Sequence, residues 1–251
     1  MKHTFWISLI IFSTQVLAQS TVPAGTILPV SLSTSLNSRK VKPGQLITGR
    51  VMQDVPLSTG SAIHAGAKVI GHVVDVNSAG SKNGARLTFQ FDGIVISRQR
   101  LPITTNLRAL ASMMAVEEAQ LPVRGPDRGT SERAWTTVQI GGEVVYRGGG
   151  PVANGLRSVG EPTIRGVLVH VTAKPGTKCR GDMAGNDRLQ ALWVFSSDAC
   201  GTYGFEGLTL AHAGRSNPTG QITLASNHGD VNVRAGSGIL LRVNNAPELK
   251  P

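Results

Sequence analysis

The chain has 251 residues, a formal net charge of +10 at pH 7 and an aromatic content of only 4%. Together with thirty glycines, this composition argues against a densely packed enzyme core and favours a fold of strands and turns. The basic residues are scattered with few aromatic residues between them, which argues against nucleic-acid binding. They favour an anionic partner, such as a glycan, a lipid head group or an acidic protein.

The N-terminal segment 1–18 has the pattern of a cleavable export signal. Lys2 precedes a short apolar run over 5–16, and the small residue Ala18 fits a signal-peptidase site. The run is shorter than the about 20 apolar residues that span a bilayer. We therefore expect cleavage near Ala18 and a periplasmic or secreted protein. An uncleaved anchor is the alternative.

Apolar strand patterns start soon after this segment, and three of them follow an Ala-Gly pair. Strands are predicted over 27–32, 68–74 and 238–243, after Gly25, Gly66 and Gly236 respectively. Glycine supplies the positive φ that a tight turn before a strand requires. The three units are predicted to form corners of one sheet, whose first and last strands come from opposite ends of the chain.

Further strands are predicted between these corners. One strand covers 46–51, and another covers 86–91, where apolar and polar residues alternate. The dipeptide Asp92-Gly93 predicts a hairpin turn into a third strand over 94–96.

A single helix is predicted in the middle of the chain. Thr105 or Asn106 is expected to cap it, and its apolar face runs through Leu110 and Met114 before the helix ends ahead of Pro122. The periodicity after this point is weak.

The remaining sequence completes a mainly β fold, a single β-barrel or sandwich with one short helix and a long Gly/Arg-rich loop. Strands are predicted over 166–171, 192–195 and 221–225. The predicted organisation is a signal over 1–18, the N-terminal part of the barrel over 19–121, a flexible Gly/Arg-rich excursion over 122–162 and the C-terminal part over 163–251.

Two cysteines in an exported protein predict one disulfide, between Cys179 and Cys200. The alternative is a pair of unconnected buried thiols. The cysteines are too far apart in sequence for a C-x-x-C redox motif, so we expect a structural crosslink.

Several segments resemble the C-terminal β-barrel of TrbI-type scaffold proteins of type IV secretion. They include the stretch 23–32, the turn 41–44, the corner 63–71 and the closing strand 231–243. The resemblance covers residues 22–75 and 231–243, and it implies a periplasmic barrel that assembles into rings at the outer membrane. We predict a stand-alone exported relative of that barrel, with a ring-forming subunit as an alternative.

Candidate catalytic residues are few. Ser196, Ser197 and Asp198, with His170 or His212, supply the residue types of a hydrolase triad, but no G-x-S-x-G elbow is present. The sequence therefore predicts a non-catalytic protein. A secreted hydrolase acting on cell-wall or glycan material is the alternative.

No metal or cofactor site is predicted. His64 and His72 could share one face of a sheet, but their Cα atoms would lie about 26 Å apart along a straight strand. Two histidines at that distance do not bind a single metal ion.

The strongest candidate for a ligand surface is the aromatic cluster around Cys200. It comprises Trp193, Phe195, Tyr203 and Phe205, with Arg180 and Arg188 nearby. Exposed rings beside arginines suit an anionic sugar polymer, whereas the alternative is that the rings pack as core over the disulfide. The predicted function is that of a cell-envelope scaffold or binding module.

Overall fold

The computed structural model describes residues 21–81, 84–123, 135–175 and 179–244, so the predicted export signal lies outside the described residues. Within them the chain forms one helix and twenty strands. In chain order these are β1 (Ile27–Leu32), β2 (Leu36–Asn37), β3 (Leu46–Val51), β4 (Val55–Pro56), β5 (Ala62–Ile63), β6 (Lys68–Asn77), β7 (Ala85–Ile96), β8 (Gln99–Pro102), β9 (Thr105–Ala111), α1 (Met113–Gln120), β10 (Thr136–Val138), β11 (Val144–Tyr146), β12 (Val152–Asn154), β13 (Arg157–Thr163), β14 (Gly166–His170), β15 (Leu189–Ala191), β16 (Gly201–Tyr203), β17 (Leu208–His212), β18 (Ile222–Ser226), β19 (Asn232–Val233) and β20 (Gly238–Val243).

The main sheet is a nearly closed barrel of nine strands in the order β16-β9-β20-β1-β3-β6-β7-β18-β17, and β8 pairs with β7 beside it. The end strands β16 and β17 lie side by side, where the Thr202 hydroxyl donates to the Leu208 carbonyl at 3.3 Å. In the middle, β1 pairs with β20 and places Val30 opposite Ile239. The prediction of a mainly β fold whose first and last strands are neighbours is confirmed.

The three Ala-Gly corners also occur as predicted. Gly25, Gly66 and Gly236 have φ angles of +81°, +91° and +87°, which side chains with a Cβ rarely adopt. Each glycine turns the chain immediately before a barrel strand, and this turn sets the register in which the apolar residues point inward.

A second sheet covers one side of the barrel. Strands β10 to β15 form an antiparallel meander in sequence order. We call this sheet the outer layer. β15 contacts β1 and β4, and α1 contacts β10. The strands of the barrel that face the outer layer are buried on both sides, which is why all seven residues of β9 are buried.

Two apolar cores result from this arrangement. The barrel interior contains Leu28, Val30, Leu87, Phe89, Phe91 and Leu241, among others. The second core lies between the barrel wall and the outer layer and includes Ile27, Ala109 and Leu240 from the wall with Val145, Val167 and Phe195 from the other side. Alternate residues of β1 and β20 therefore serve different cores.

The structure departs from the predicted loop over 122–162, because residues 136–163 contribute strands β10 to β13. Val145, Val152 and Val159 are the buried valines of β11, β12 and β13. With about one buried valine per strand, no alternation is long enough to recognise in the sequence.

The predicted hairpin turn at Asp92-Gly93 is wrong. Strand β7 continues to Ile96, and the turn lies at Ser97-Arg98, both with positive φ. A Cβ on Gly93 would lie 2.5 Å from the Arg100 Nε, so this glycine makes room for the guanidinium that binds Asp92.

The predicted helix begins later than expected. Ser112 caps α1, since its hydroxyl accepts from the Ala115 backbone N–H at 3.2 Å. Residues 105–111 instead form β9, because pairing with β20 and burial on both faces override their helical pattern. The predicted strand over 192–195 is also wrong, since β15 ends at Ala191. No helix of the described part of the chain has the length and apolar character needed to cross a bilayer.

Candidate functional site

A large cleft opens between α1, the outer layer and the segment after β15. It has a volume of about 790 Å³, and its lining includes Gln120, Trp135, Thr137, Arg147, Arg165 and Trp193. We call it the tryptophan cleft. Its described lining holds two arginines and no aspartate or glutamate, so the cleft presents a positive field.

Trp193 forms one wall of this cleft in an unusual backbone conformation. Its φ is +53°, which is a strained value for a bulky residue. Its N–H donates to the Gln53 Oε1 at 2.8 Å, and its carbonyl accepts from the Gln139 Nε2 at 2.8 Å. Two side-chain amides thus hold both backbone groups of Trp193.

Gln53 also connects the barrel to the outer layer. It is fully buried, and its amide group exchanges hydrogen bonds with both backbone groups of Val167, at 2.8 and 3.3 Å. Backbone strain persists only where the surroundings determine it, and it concentrates at binding and active sites. Trp193, in the wall of the tryptophan cleft, has a strained backbone, and surrounding hydrogen bonds hold that backbone in place.

The two arginines of the cleft differ in environment. Arg147 is half-buried, and its Nη1 donates to the Gly166 carbonyl. Its Nη2 lies 3.5 Å from the Thr137 hydroxyl, and it has no carboxylate partner among the described residues. Burial lowers the pKa of this guanidinium, although it stays protonated. Arg165 is exposed at the tip of the β13–β14 hairpin.

The predicted ligand surface around Cys200 is not assembled as one exposed platform. Phe195 is fully buried in the second core, so its ring cannot stack on a ligand. Tyr203 is half-buried, and its hydroxyl accepts from the Cys200 backbone N–H at 2.9 Å. Phe205 packs against the barrel core, and Trp193 belongs to the cleft instead.

The two predicted arginines lie apart from that cleft. Arg180 is exposed and Arg188 is half-buried, and neither lines the cleft. The predicted disulfide is confirmed: Cys179 and Cys200 are joined, with Cα atoms 5.2 Å apart. It anchors the segment that carries both arginines.

The residue types of a triad are present but not brought together. Ser196 and Ser197 are buried, and their hydroxyls donate to Asp198 at 2.6 Å and to Glu143 respectively. The His212 Nδ1 lies 2.8 Å from the Gln221 carbonyl oxygen. His170 is exposed at the end of β14. A serine nucleophile needs an accessible hydroxyl beside a base, and neither serine has this environment.

Glu143 instead links two turns of the outer layer. Its Oε2 accepts from the Ser197 backbone N–H at 2.8 Å. Burial raises the pKa of its carboxyl, in opposition to the hydrogen bonds from Ser197. This buried contact holds the β10–β11 turn beside the segment that carries Trp193.

Arg108 is a buried charge that the sequence reasoning missed. It is an extra residue in β9, because Leu240 and Leu241 pair with Ala109 and Leu107. Its guanidinium donates to four carbonyl oxygens at 2.8–3.2 Å, those of Asp182, Ala184, Thr172 and Ser197. Burial lowers its pKa to about 10. An arginine inside an apolar run was the available signal.

The histidines considered for metal binding pair with carboxylates. The Nδ1 of His64 lies 3.4 Å from Asp54, and that of His72 lies 2.8 Å from Asp92. Among the residues that the structure describes, no group of three or more potential ligands is arranged to hold a metal ion.

No protein-family model matches the chain, and no curated protein matches it significantly.

Proposed function

We propose that the protein is an exported, non-catalytic β-barrel protein that acts as a binding module of the cell envelope and takes its partner in the tryptophan cleft. The main observation behind this proposal is the strained backbone of Trp193, which two buried glutamines hold in the wall of the tryptophan cleft. Strain maintained by this many contacts is typical of a binding site.

The charge of the cleft supports an anionic partner. Arg147 and Arg165 line it, and no described lining residue carries a carboxylate. Burial strengthens the field of Arg147, because screening by water and salt is weaker away from the surface.

Two observations support export. Segment 1–18 has the pattern of a signal peptide, and the Cys179–Cys200 disulfide is of the kind that persists in oxidising compartments. Appearance of the processed chain in a periplasmic or culture fraction tests this part of the proposal. Retention of the full-length chain in the cytoplasm contradicts it.

Capture of envelope material on the immobilised protein tests the binding role. We expect capture by the wild type to be lost in Arg165→Glu, which reverses a charge at the cleft. Arg86→Glu is the matched control, since Arg86 is exposed on the barrel strand β7. Equal capture by both variants rejects the cleft as the binding site.

One observation favours a second candidate, the ring-forming subunit. The two segments that resemble TrbI-type barrels, 22–75 and 231–243, contribute strands that pair directly, β1 with β20. A ring predicts a solution mass that is a high multiple of the 26.4 kDa chain. A monomer at all concentrations in light scattering removes this candidate.

A further inference from the structure

We infer that the tryptophan cleft binds an acidic saccharide, whose acid group contacts Arg147 and whose sugar ring packs on Trp135 above the wall formed by Trp193. This inference rests on the proposed binding function and names the chemical class of the ligand. It requires an anion site, an aromatic surface and neutral hydrogen-bonding groups in one cavity.

Arg147 provides the anion site. A guanidinium has five N–H donors, and its contacts to Gly166 and Thr137 leave several of them free. A half-buried cation is normally paired with a carboxylate, and Arg147 has none in the described part of the molecule. A ligand carboxylate or phosphate fits the fork of the guanidinium and forms charge-assisted hydrogen bonds.

The aromatic surface is provided by Trp135, which is half-buried and immediately precedes β10. Trp193 is 4% exposed and forms the wall behind it. Ile164, 81% exposed, extends the apolar surface at the rim. Such surfaces accommodate the apolar face of a ring, so an inorganic anion alone leaves most of this site unused.

Neutral polar groups lie between these apolar walls. Thr163 is a half-exposed lining residue with a hydroxyl, and Gln120 donates from Nε2 to the Val116 carbonyl at 3.0 Å, which leaves its Oε1 as an acceptor. Hydroxyl and amide groups next to aromatic walls suit a polyhydroxylated ring better than an acyl chain, since burying them without partners costs free energy. The volume of about 790 Å³ lies within the usual range for small-ligand sites.

The tryptophan content permits a direct binding assay. The chain has three tryptophans, and in the full-length variant Trp6→Phe the remaining two, Trp135 and Trp193, both line the cleft. Titration of this variant with trigalacturonate is expected to give a saturable fluorescence change. Its methyl ester, which keeps the rings but lacks the charges, is expected to bind at least tenfold more weakly. Equal affinity for the two compounds overturns the acid contact.

Substitutions locate the contact. In the Trp6→Phe background, Arg147→Gln is expected to weaken trigalacturonate binding at least tenfold and Arg165→Gln several-fold, whereas Arg86→Gln leaves it unchanged. Arg147→Lys, which retains the charge, is expected to recover part of the affinity. Circular dichroism and thermal melting are used to check that each variant is folded. The comparison with the methyl ester uses no Arg147 variant, so it tests the acid contact even if Arg147→Gln does not fold. Unchanged affinity in folded Arg147→Gln overturns the inference.

Two further outcomes separate this inference from the function on which it rests. If inorganic phosphate displaces trigalacturonate at equal concentration, the cleft does not recognise the sugar ring. No binding of trigalacturonate, while Arg165→Glu still abolishes capture of envelope material, overturns the acidic saccharide and leaves the binding role intact. Capture that is insensitive to Arg165→Glu overturns the binding role itself.

Discussion

The barrel and the outer layer are both β-sheets, antiparallel apart from the parallel pair of β9 and β16 in the barrel, but different interactions hold them. The barrel interior is filled by apolar side chains such as Phe89 and Phe91, whose ring centroids lie 5.9 Å apart at an interplanar angle of 86°. The junction with the outer layer contains buried polar side chains, among them Gln53, Gln139 and Arg108, that bind backbone groups. Apolar contacts are non-directional, whereas these hydrogen bonds fix one arrangement of the chain.

The difference explains where the tryptophan cleft is found. A cleft wall must keep one geometry without a ligand to support it, and hydrogen bonds to buried backbone groups provide that directionality. The barrel supplies the stability, and the polar junction positions Trp193.

Arg108→Met should have the largest effect on this junction. The substitution retains apolar volume but leaves four carbonyl oxygens without the guanidinium, so we expect the free energy of unfolding to fall by roughly 3–5 kcal/mol. Urea denaturation monitored by circular dichroism measures it. Arg108→Lys, which keeps a charge and three donors, is expected to lose less. A loss below about 1 kcal/mol for Met shows that the carbonyls find other partners.

Removal of the disulfide should have the next largest effect. The crosslink joins residues 21 apart in sequence, and the chain-entropy estimate for such a loop is about 3 kcal/mol. Cys179→Ala/Cys200→Ala is therefore expected to be less stable than the wild type by this amount. Wild-type protein in reducing agent is the control and should match the double variant. If both are as stable as the oxidised protein, the junction does not depend on the crosslink.

Gln53→Leu should affect stability and the cleft together. It removes the partner of the Trp193 N–H and of both Val167 backbone groups, so we expect a loss of roughly 2–3 kcal/mol and a changed emission of Trp193. Gln90→Leu is the control, because Gln90 is half-exposed on strand β7. An unchanged emission spectrum contradicts the role of Gln53 in positioning the wall.

Glu143 should give the smallest effect, visible as a pH dependence. Burial raises the pKa of its carboxyl in the folded state above the value of about 4.3 in the unfolded chain. The contribution of Glu143 to the free energy of unfolding is therefore fully present below the pKa that the carboxyl has in the unfolded chain. This contribution is lost as the pH rises through the pKa of the folded state. Urea denaturation at a series of pH values measures this loss of stability. The variant Glu143→Gln should not show it.

Asp54 provides a control, because its effect on stability changes with pH in the opposite direction. The backbone N–H of Ala65 donates to it and lowers its pKa, so its contribution is present at neutral pH and is lost as the pH falls. Asp54→Asn should therefore change the profile only at the acid end. If the wild type and both variants show the same dependence of stability on pH, neither Glu143 nor Asp54 has the role described.

The barrel was predictable where the sequence alternates and a turn glycine precedes the strand, as in β1, β6 and β20. In the outer layer, β14 was predicted over 166–171, but β10 to β13 were not, because β10 to β12 are three residues long and β13 departs from alternation at a bulge beside Val152. Over 105–111 the apolar residues serve two cores, which removes the period that distinguishes a strand from a helix.

The site was predictable only in part. Trp193 was recognised as a candidate, but on a surface with Phe195, which is buried. The tryptophan cleft draws its lining from four stretches of sequence, around 120, 135–149, 162–165 and 193, and no local pattern connects them. Arg147 fell in the predicted loop. Its importance depends on its burial, which a sequence does not display.

The pairing of β1 with β20 joins residues that are among the first and last described in the chain. Partners so distant in sequence slow folding, because a long loop must be ordered before the contact forms. Until β20 pairs with it, one hydrogen-bonding edge of β1 is open, and an open strand edge can pair with another chain. We therefore expect deletion of the last residues of β20 to impair folding of the whole barrel.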